Sequence, residues 1–304
     1  SGRCGAMVPI SIEPLMGYTD RHCRVFLRLV SPSVRLYTEM VTTGALLHGP
    51  AARLLAFHTA EHPVALQLGG SDPADLARCA EMGATAGYDE VNLNCGCPSD
   101  RVQRGQFGAC LMLRPDLVAQ CVQAMTACGL PVTVKCRTGV DGQDSPEFLL
   151  RFAEAVFAAG AGGLIVHARK CWLRGLSPHQ NRSRPPLDYA RVQWLKTQFP
   201  DRAVILNGGI VTAEQAHAHT GLVDGVMIGR AAYRDPWLLA TLDPASTKTR
   251  TEVARAMAAY IQESGAPARA VTRHMGGLFH GQPGAKAFRR AMAGGDVQAL
   301  QSCV

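Results

Sequence analysis

The sequence predicts an α/β protein, a (β/α)8 TIM barrel followed by a small C-terminal helical domain. Short apolar runs rich in β-branched residues alternate with helix-like stretches over residues 8–240, in eight β-then-α units. Most of these runs end in a polar residue, as expected where parallel strands present their carboxyl ends to one site. After Pro236 the pattern becomes entirely helical. We therefore predict a catalytic barrel over residues 1–240 and a helical domain over 245–304.

The predicted elements follow from the apolar periodicity. The strands, in chain order, are 8–14, 35–40, 63–69, 89–94, 131–136, 162–167, 203–207 and 224–228. The helices are 20–30, 73–82, 114–128, 146–159 and 188–198, then 250–264, 268–279 and 285–292 in the tail. A doubly wound open sheet is the alternative. It would carry a Gly-rich turn after its first strand, where residues 16–20 read MGYTD.

Composition narrows the class of protein. The 304 residues are 47% hydrophobic and 18% charged, which favours a chain with a large buried core. No apolar run reaches the roughly 18 residues of a membrane span. The eleven cysteines are scattered and form no Cys-x-x-Cys pair, which argues against zinc ribbons and thioredoxin chemistry. We expect a cytoplasmic protein in a reducing compartment, without membrane attachment.

Positive charge is concentrated in two parts of the chain. Residues 246–304 carry eight Lys and Arg against three acids, or +5 of the total net charge of +7. Residues 167–187 hold five Lys and Arg and no acid. A solvated surface is the ordinary explanation for one such block. Two blocks favour a polyanionic partner such as a nucleic acid.

Polar residues at the predicted strand ends define a candidate site. They are Glu39, Gln67, Asn94, Lys135, His167, Asn207 and the pair Gly229–Arg230. Lys135 ends an otherwise apolar strand, so its ammonium should meet an anion or electron-rich oxygens, or pair with a barrel acid such as Glu39. The sequence Asn207-Gly208-Gly209 and the Gly229–Arg230 pair follow the seventh and eighth strands, where barrels often bind phosphate.

Cys97 is the candidate reactive residue. It lies between Gly96 and a proline in the loop after the fourth strand, which places its thiol on a turn above the barrel mouth. The residue types leave open a nucleophile, a general acid or a metal ligand, beside the alternative of a small buried side chain. Cys95 and Cys110 would make a poor ligand set, so we expect no metal.

Several long motifs resemble the tRNA-dihydrouridine synthases over residues 14–292. They include PLMGYTDRHCR (14–24), NCGCPSDRVQRGQFGACLM (94–112), VKCRTG (134–139), HARKCWLRGLSP (167–178) and DGVMIGRAAYRDPW (224–237). The tail RHMGGLFHGQPGAKAFRR (273–290) is similar to the synthase A subfamily. The resemblance implies an FMN-dependent barrel that uses NADPH to reduce uridine to 5,6-dihydrouridine in the tRNA D-loop, at positions 20 and 20a.

The resemblance also implies roles for particular residues. FMN would contact Pro14, Met16, Gln67, Lys135 and His167 around its ring system, and Asn207, Gly208, Gly209, Gly229 and Arg230 at its phosphate. The tRNA would contact Asn94 and Arg182 at the target uracil, with Arg169 and Lys170 beside them. Cys97 would protonate C5 of the uracil, opposite the face that receives hydride at C6. We expect the protein to be a monomer.

Three positions depart from the family pattern. Glu13 stands where the family usually has Ala, next to the expected flavin, and whether this carboxylate weakens FMN binding is a question that the sequence leaves open. Cys95 replaces an aliphatic residue and is expected to pack inward, and Thr138 replaces Ile. Two other functions remain open: an FMN barrel acting on a small pyrimidine, as in dihydroorotate dehydrogenases, and a tRNA-binding protein without flavin.

Overall fold

One parallel sheet forms the centre of the molecule, whose computed structural model describes residues 7–302. Within these residues the strands are β1 (Ile10–Ile12), β2 (Leu36–Tyr37), β3 (Val41–Thr42), β4 (Val64–Gly69), β5 (Glu90–Asn94), β6 (Val132–Arg137), β7 (Gly163–His167), β8 (Ala203–Asn207) and β9 (Gly225–Ile228). All pairings between these strands are parallel. Only β2 falls within the predicted second strand 35–40, and β3 follows it; both pair with β4.

The sheet closes on itself. Its strand order is β1-β9-β8-β7-β6-β5-β4-β2. Arg35, just before β2, completes the ring: its N–H donates to Ile10 O (3.2 Å) and its carbonyl accepts from Ile12 N (2.9 Å). The predicted (β/α)8 barrel is therefore confirmed, and the doubly wound alternative is wrong.

The helices surround the barrel and continue into the tail. They are α1 (Arg21–Val30), α2 (Thr43–His48), α3 (Ala51–Leu54), α4 (Pro73–Ala86), α5 (Asp100–Arg104), α6 (Pro115–Thr126), α7 (Pro146–Ala158), α8 (Tyr189–Gln198), α9 (Ala213–His217), α10 (Arg230–Arg234), α11 (Trp237–Leu242), α12 (Arg250–Ser264), α13 (Ala268–Thr272), α14 (Ala285–Gly294) and α15 (Val297–Gln301). Side-chain caps begin several of the outer helices: Asp20 caps α1, Asp72 caps α4 and Ser145 caps α7. No helix in the described range is long and apolar enough to cross a bilayer.

The tail helices pack against the barrel. Helix α12 lies against α1 and α15, and buried Met257, Met275 and Met292 join the main hydrophobic core. The predicted helix 268–279 is wrong in its second half, because α13 ends at Thr272 and turns follow. Gly277 lies within these turns, and a Cβ there would fall 2.2 Å from Arg234 O at the end of α10, so only glycine fits at this position. The division into domains at residues 240–245 stays a prediction.

Candidate active site

A cavity of about 930 Å³ opens at the carboxyl ends of the barrel strands. Its wall includes nine residues singled out from the sequence: Glu13, Pro14, Met16, Glu39, Gln67, Asn94, Cys97, Lys135 and Arg182. They come from the carboxyl-end regions of β1, β2, β4, β5 and β6 and from the loop after β7. A cavity of this size with a few convergent polar groups is typical of a small-molecule or cofactor site.

A chain of hydrogen bonds leads up the barrel interior to this cavity. Thr133 donates to the carboxylate of Glu90 (2.7 Å), and the Asn92 amide donates to Thr133 (2.8 Å). Gln67 donates to Asn92 (2.9 Å), and Asn94 donates to Gln67 (3.1 Å). Each amide therefore has a fixed orientation. The sequence analysis did not single out Glu90 and Asn92. The alternation of polar and apolar residues in the strand EVNLN could have identified them, because alternate residues of a strand share one face.

Asn94 in turn holds the loop that carries Cys97. Its side-chain oxygen accepts from Gly96 N (3.1 Å) and from Cys97 N (3.0 Å). The half-buried Cys97 thiol donates to Ser99 Oγ at 3.6 Å, and Ser99 caps helix α5. Asn94 therefore holds the backbone of Cys97 and Ser99 holds its sulfur, which fixes the thiol at the cavity wall.

Arg137 was also missed by sequence reasoning. It is 5% exposed, and it donates from Nε to Gly96 O (2.8 Å) and from a terminal nitrogen to Asn181 O (3.0 Å). Its burial lowers the pKa of the guanidinium. Arg137 lies two residues after Lys135, and alternate residues of a strand share one face. This spacing could have predicted that the two side chains lie on the same side of the strand. Arg137 joins the Cys97 loop to the segment that bears Arg182.

Lys135 pairs with Glu13, not with Glu39 as the sequence suggested. Its Nζ lies 3.2 Å from Glu13 Oε1, whereas Glu39 accepts from Gly17 N at 2.6 Å. Burial lowers the pKa of Lys135, partly opposed by the charge of Glu13. Burial also acts to raise the pKa of Glu13, but the charges of Lys135, Arg182 and Arg137 outweigh it, so this pKa is lowered.

His167 and Asn207 stand side by side at the ends of β7 and β8. Burial, reinforced by the charges of Arg137 and Lys135, holds the pKa of His167 well below its usual value, so the ring is neutral at pH 7. Asn207 donates to Met227 O (3.0 Å), while its buried Oδ1 has no hydrogen-bond partner among the described residues. A buried acceptor of this kind is suited to a ligand that donates to it.

The glycines after β8 and β9, like His167 and Asn207, are not among the residues of the cavity wall. Gly208 (φ +116°) and Gly209 (φ +70°) adopt left-handed backbone, and Tyr189 donates to Gly208 O at 2.6 Å. Gly229 directly precedes α10, and Arg230 donates to Arg182 O at 3.2 Å. These contacts join the loops after β7, β8 and β9.

Comparison with known proteins identifies the family. Residues 11–302 match the family described as dihydrouridine synthase (Dus). The chain belongs to the dihydrouridine synthase family. This confirms the predicted family and the prediction that the chain is an enzyme.

Curated relatives cover nearly the whole chain. A Xanthomonas axonopodis pv. citri protein is 54% identical, over 96% of this chain and 90% of its own length. A Shewanella oneidensis protein is 55% identical, over 93% and 87%. An Escherichia coli K12 protein is 52% identical, over 96% and 89%. Each is named tRNA-dihydrouridine(20/20a) synthase.

Arg169 and Lys170, the remaining candidates, lie outside the cavity wall. Arg169 donates to Pro185 O (2.7 Å), and its buried Nε has no partner among the described residues. Lys170 binds Asp141 O (3.0 Å) and the Asp144 carboxylate (2.9 Å). Their predicted roles toward substrate stay predictions.

Most of the cysteines in the described range are buried, as expected for small side chains that pack in the core. Cys95 is fully buried, as expected, and burial raises the pKa of its thiol well above the usual value. All nine cysteines in the described range are free. That range also contains no group of three or more His, Cys, Asp or Glu side chains able to hold a metal ion.

Proposed function

We propose that this protein is a tRNA-dihydrouridine synthase of the synthase A subfamily. It reduces uridine to 5,6-dihydrouridine at positions 20 and 20a of the tRNA D-loop, with FMN as cofactor and NADPH as reductant. The observation that carries this proposal is the placement of Cys97, Asn94 and Lys135 around one cavity at the barrel mouth. The names of the curated relatives support the tRNA positions.

Polar groups at the carboxyl ends of the barrel strands fit FMN. The unpartnered Asn207 Oδ1 offers a buried acceptor for a hydroxyl or N–H group of the cofactor. In this proposal Pro14, Met16, Gln67, Lys135 and His167 would hold the ring system, and Asn207, Gly208, Gly209, Gly229 and Arg230 would hold the end that carries the phosphate. When bound and reduced by NADPH, FMN would supply a hydride to C6 of the uracil.

The chain's own residues then complete the reaction. Asn94 and Arg182 hold the uracil, and the thiol of Cys97 gives its proton to C5. Lys135, paired with Glu13, would present its ammonium to the cofactor ring. His167 is neutral, so it acts there as a hydrogen-bonding group and adds no charge.

Binding of folded tRNA explains the basic parts of the chain. The target uridine must turn out of the folded RNA, at a cost of a few kcal/mol. Phosphate contacts from residues 167–187, including Arg169 and Lys170, and from the helical domain 245–304 offset that cost. A cleft of about 610 Å³ in the tail is lined by Arg269, Arg273 and Arg289. We also propose that the protein is cytoplasmic and monomeric.

An absorption spectrum tests the cofactor, and binding competition tests the substrate. A yellow protein with absorption bands at about 370 and 450 nm supports the proposal. A colourless protein that binds tRNA with steep salt dependence and cannot be reconstituted with FMN would favour a flavin-free binding protein. Inhibition by free uridine at concentrations comparable to tRNA would favour a small-pyrimidine enzyme.

A further inference from the structure

We propose that Glu13 limits the affinity of this protein for FMN. Its carboxylate holds Lys135 and stands between the residues proposed to bind the two ends of the cofactor. This inference rests on the proposed function, because it concerns the FMN site. It makes Glu13 a determinant of cofactor affinity.

The first oxygen of Glu13 engages Lys135. Oε1 lies 3.2 Å from Nζ, and the two side chains are only 11% and 12% exposed. A buried ammonium and a buried carboxylate hold each other strongly, because separating them leaves an uncompensated charge. An oxygen of FMN that approaches Lys135 must therefore compete with Glu13.

The second oxygen lies against Gly229. A Cβ added at Gly229 would fall 2.0 Å from Glu13 Oε2, so the carboxylate fills the space beside that glycine. Gly229 belongs to the proposed phosphate site, while Lys135 belongs to the ring site. Glu13 therefore occupies room between the two groups of residues.

The charge of Glu13 opposes an anionic ligand. Lys135, Arg182 and Arg137 keep its pKa below the ordinary value in spite of burial, so the carboxylate is ionised at neutral pH. The phosphate of FMN is also negative, and like charges in a poorly solvated site repel each other. Both the negative charge and the volume of the Glu13 side chain therefore lower the affinity for FMN.

Titration of the apoprotein with FMN, followed by quenching of flavin fluorescence, tests this proposal. We expect Glu13→Ala to lower the Kd for FMN by about tenfold or more. Glu13→Gln removes the charge and keeps the volume, so it should give part of that gain. Glu147→Gln makes the same charge change at the exposed first turn of α7 and should leave the Kd unchanged.

The outcomes separate this inference from the proposed function. If wild type and both Glu13 variants bind FMN with the same Kd, or the variants bind more weakly, the inference is overturned while the FMN proposal stands. If none of them binds FMN, both fail. Circular dichroism of the apoproteins checks folding, because Glu13→Ala leaves Lys135 without its carboxylate. If Glu13→Ala does not fold, the Kd of Glu13→Gln for FMN tests the inference, because its amide oxygen can still accept a hydrogen bond from Lys135.

Discussion

The side-chain oxygen of Asn94 accepts the backbone N–H of Cys97 at 3.0 Å. The same oxygen accepts from Gly96 N, and the Asn94 amide donates to Gln67. Asn94 therefore fixes the start of the Cys97 loop relative to the barrel interior. A residue proposed to hold the uracil also positions the group proposed to protonate it.

Replacement of Asn94 by Ala should slow the reduction of tRNA and leave the affinity for FMN nearly unchanged. Without its side chain the Cys97 loop loses two hydrogen bonds and the uracil loses a partner. We expect the single-turnover rate of tRNA reduction to fall by about a hundredfold, because misplaced reacting groups cost about that much. FMN affinity should change little. A normal rate in Asn94→Ala would contradict the proposed role.

Arg137 should matter for stability. Arg137→Met leaves the buried carbonyls of Gly96 and Asn181 without their donor, so the free energy of unfolding should fall by about 2–5 kcal/mol. Urea unfolding of the apoprotein measures this change. Arg137→Lys should recover part of the stability. Arg151→Gln, on the exposed face of α7, is the control, and an equal effect there would contradict this role of Arg137.

Asp20 links the barrel to the tail in a pH-dependent way. Its carboxylate accepts from His274 Nε2 and from Arg273, both at 3.0 Å, and from Cys23 N at 2.9 Å. Burial acts to raise its pKa, but these hydrogen bonds and the neighbouring charge prevail and hold the pKa far below its ordinary value of 3.8. The resulting stabilisation is fully present above pH 3.8 and is lost as the pH falls below it.

We expect Asp20→Asn to lower the free energy of unfolding by about 1–3 kcal/mol at pH 7. The difference from wild type should shrink between pH 5 and pH 3, measured by urea unfolding. Asp72→Asn is the matched control, because Asp72 caps α4 and Asn also caps helices. A difference that stays constant with pH would contradict the ion-pair explanation.

The arginine cleft of the tail should contribute to tRNA affinity. Arg269→Gln with Arg289→Gln should weaken tRNA binding and reduce the slope of log K against log[salt] by about one for each phosphate that the variant no longer binds. Filter binding at several salt concentrations measures both quantities. Arg202→Gln, an exposed position just before β8, should leave them unchanged. An unchanged slope in the double variant would exclude phosphate binding by this cleft.

The sequence predicted the barrel well because its signal is local and repeated. Apolar runs that end in Gln67, Asn94, Lys135 and His167 place those residues at one end of the sheet whatever the details of packing. The close approach of Gly277 to Arg234 O, in the turns after α13, was less predictable because it joins elements distant in sequence.

The partners of charged residues were the least predictable part of the site. Lys135 could be placed at the barrel mouth, but its pairing with Glu13 depends on the positions of β1 and β6 across the barrel. The two carbonyls bound by Arg137 likewise come from separate loops. Such contacts are set by three-dimensional packing, which periodicity does not encode.

The most direct test of the central claim is dihydrouridine formation at positions 20 and 20a of unmodified tRNA, with FMN and NADPH supplied. We predict that wild type forms the product, and that Cys97→Ala retains FMN but forms product at least about a hundredfold more slowly, the usual scale of a general-acid contribution. Normal turnover by FMN-loaded Cys97→Ala would contradict the assignment of Cys97 as proton donor. Failure of FMN-loaded wild type to modify any tRNA would contradict the proposed function itself.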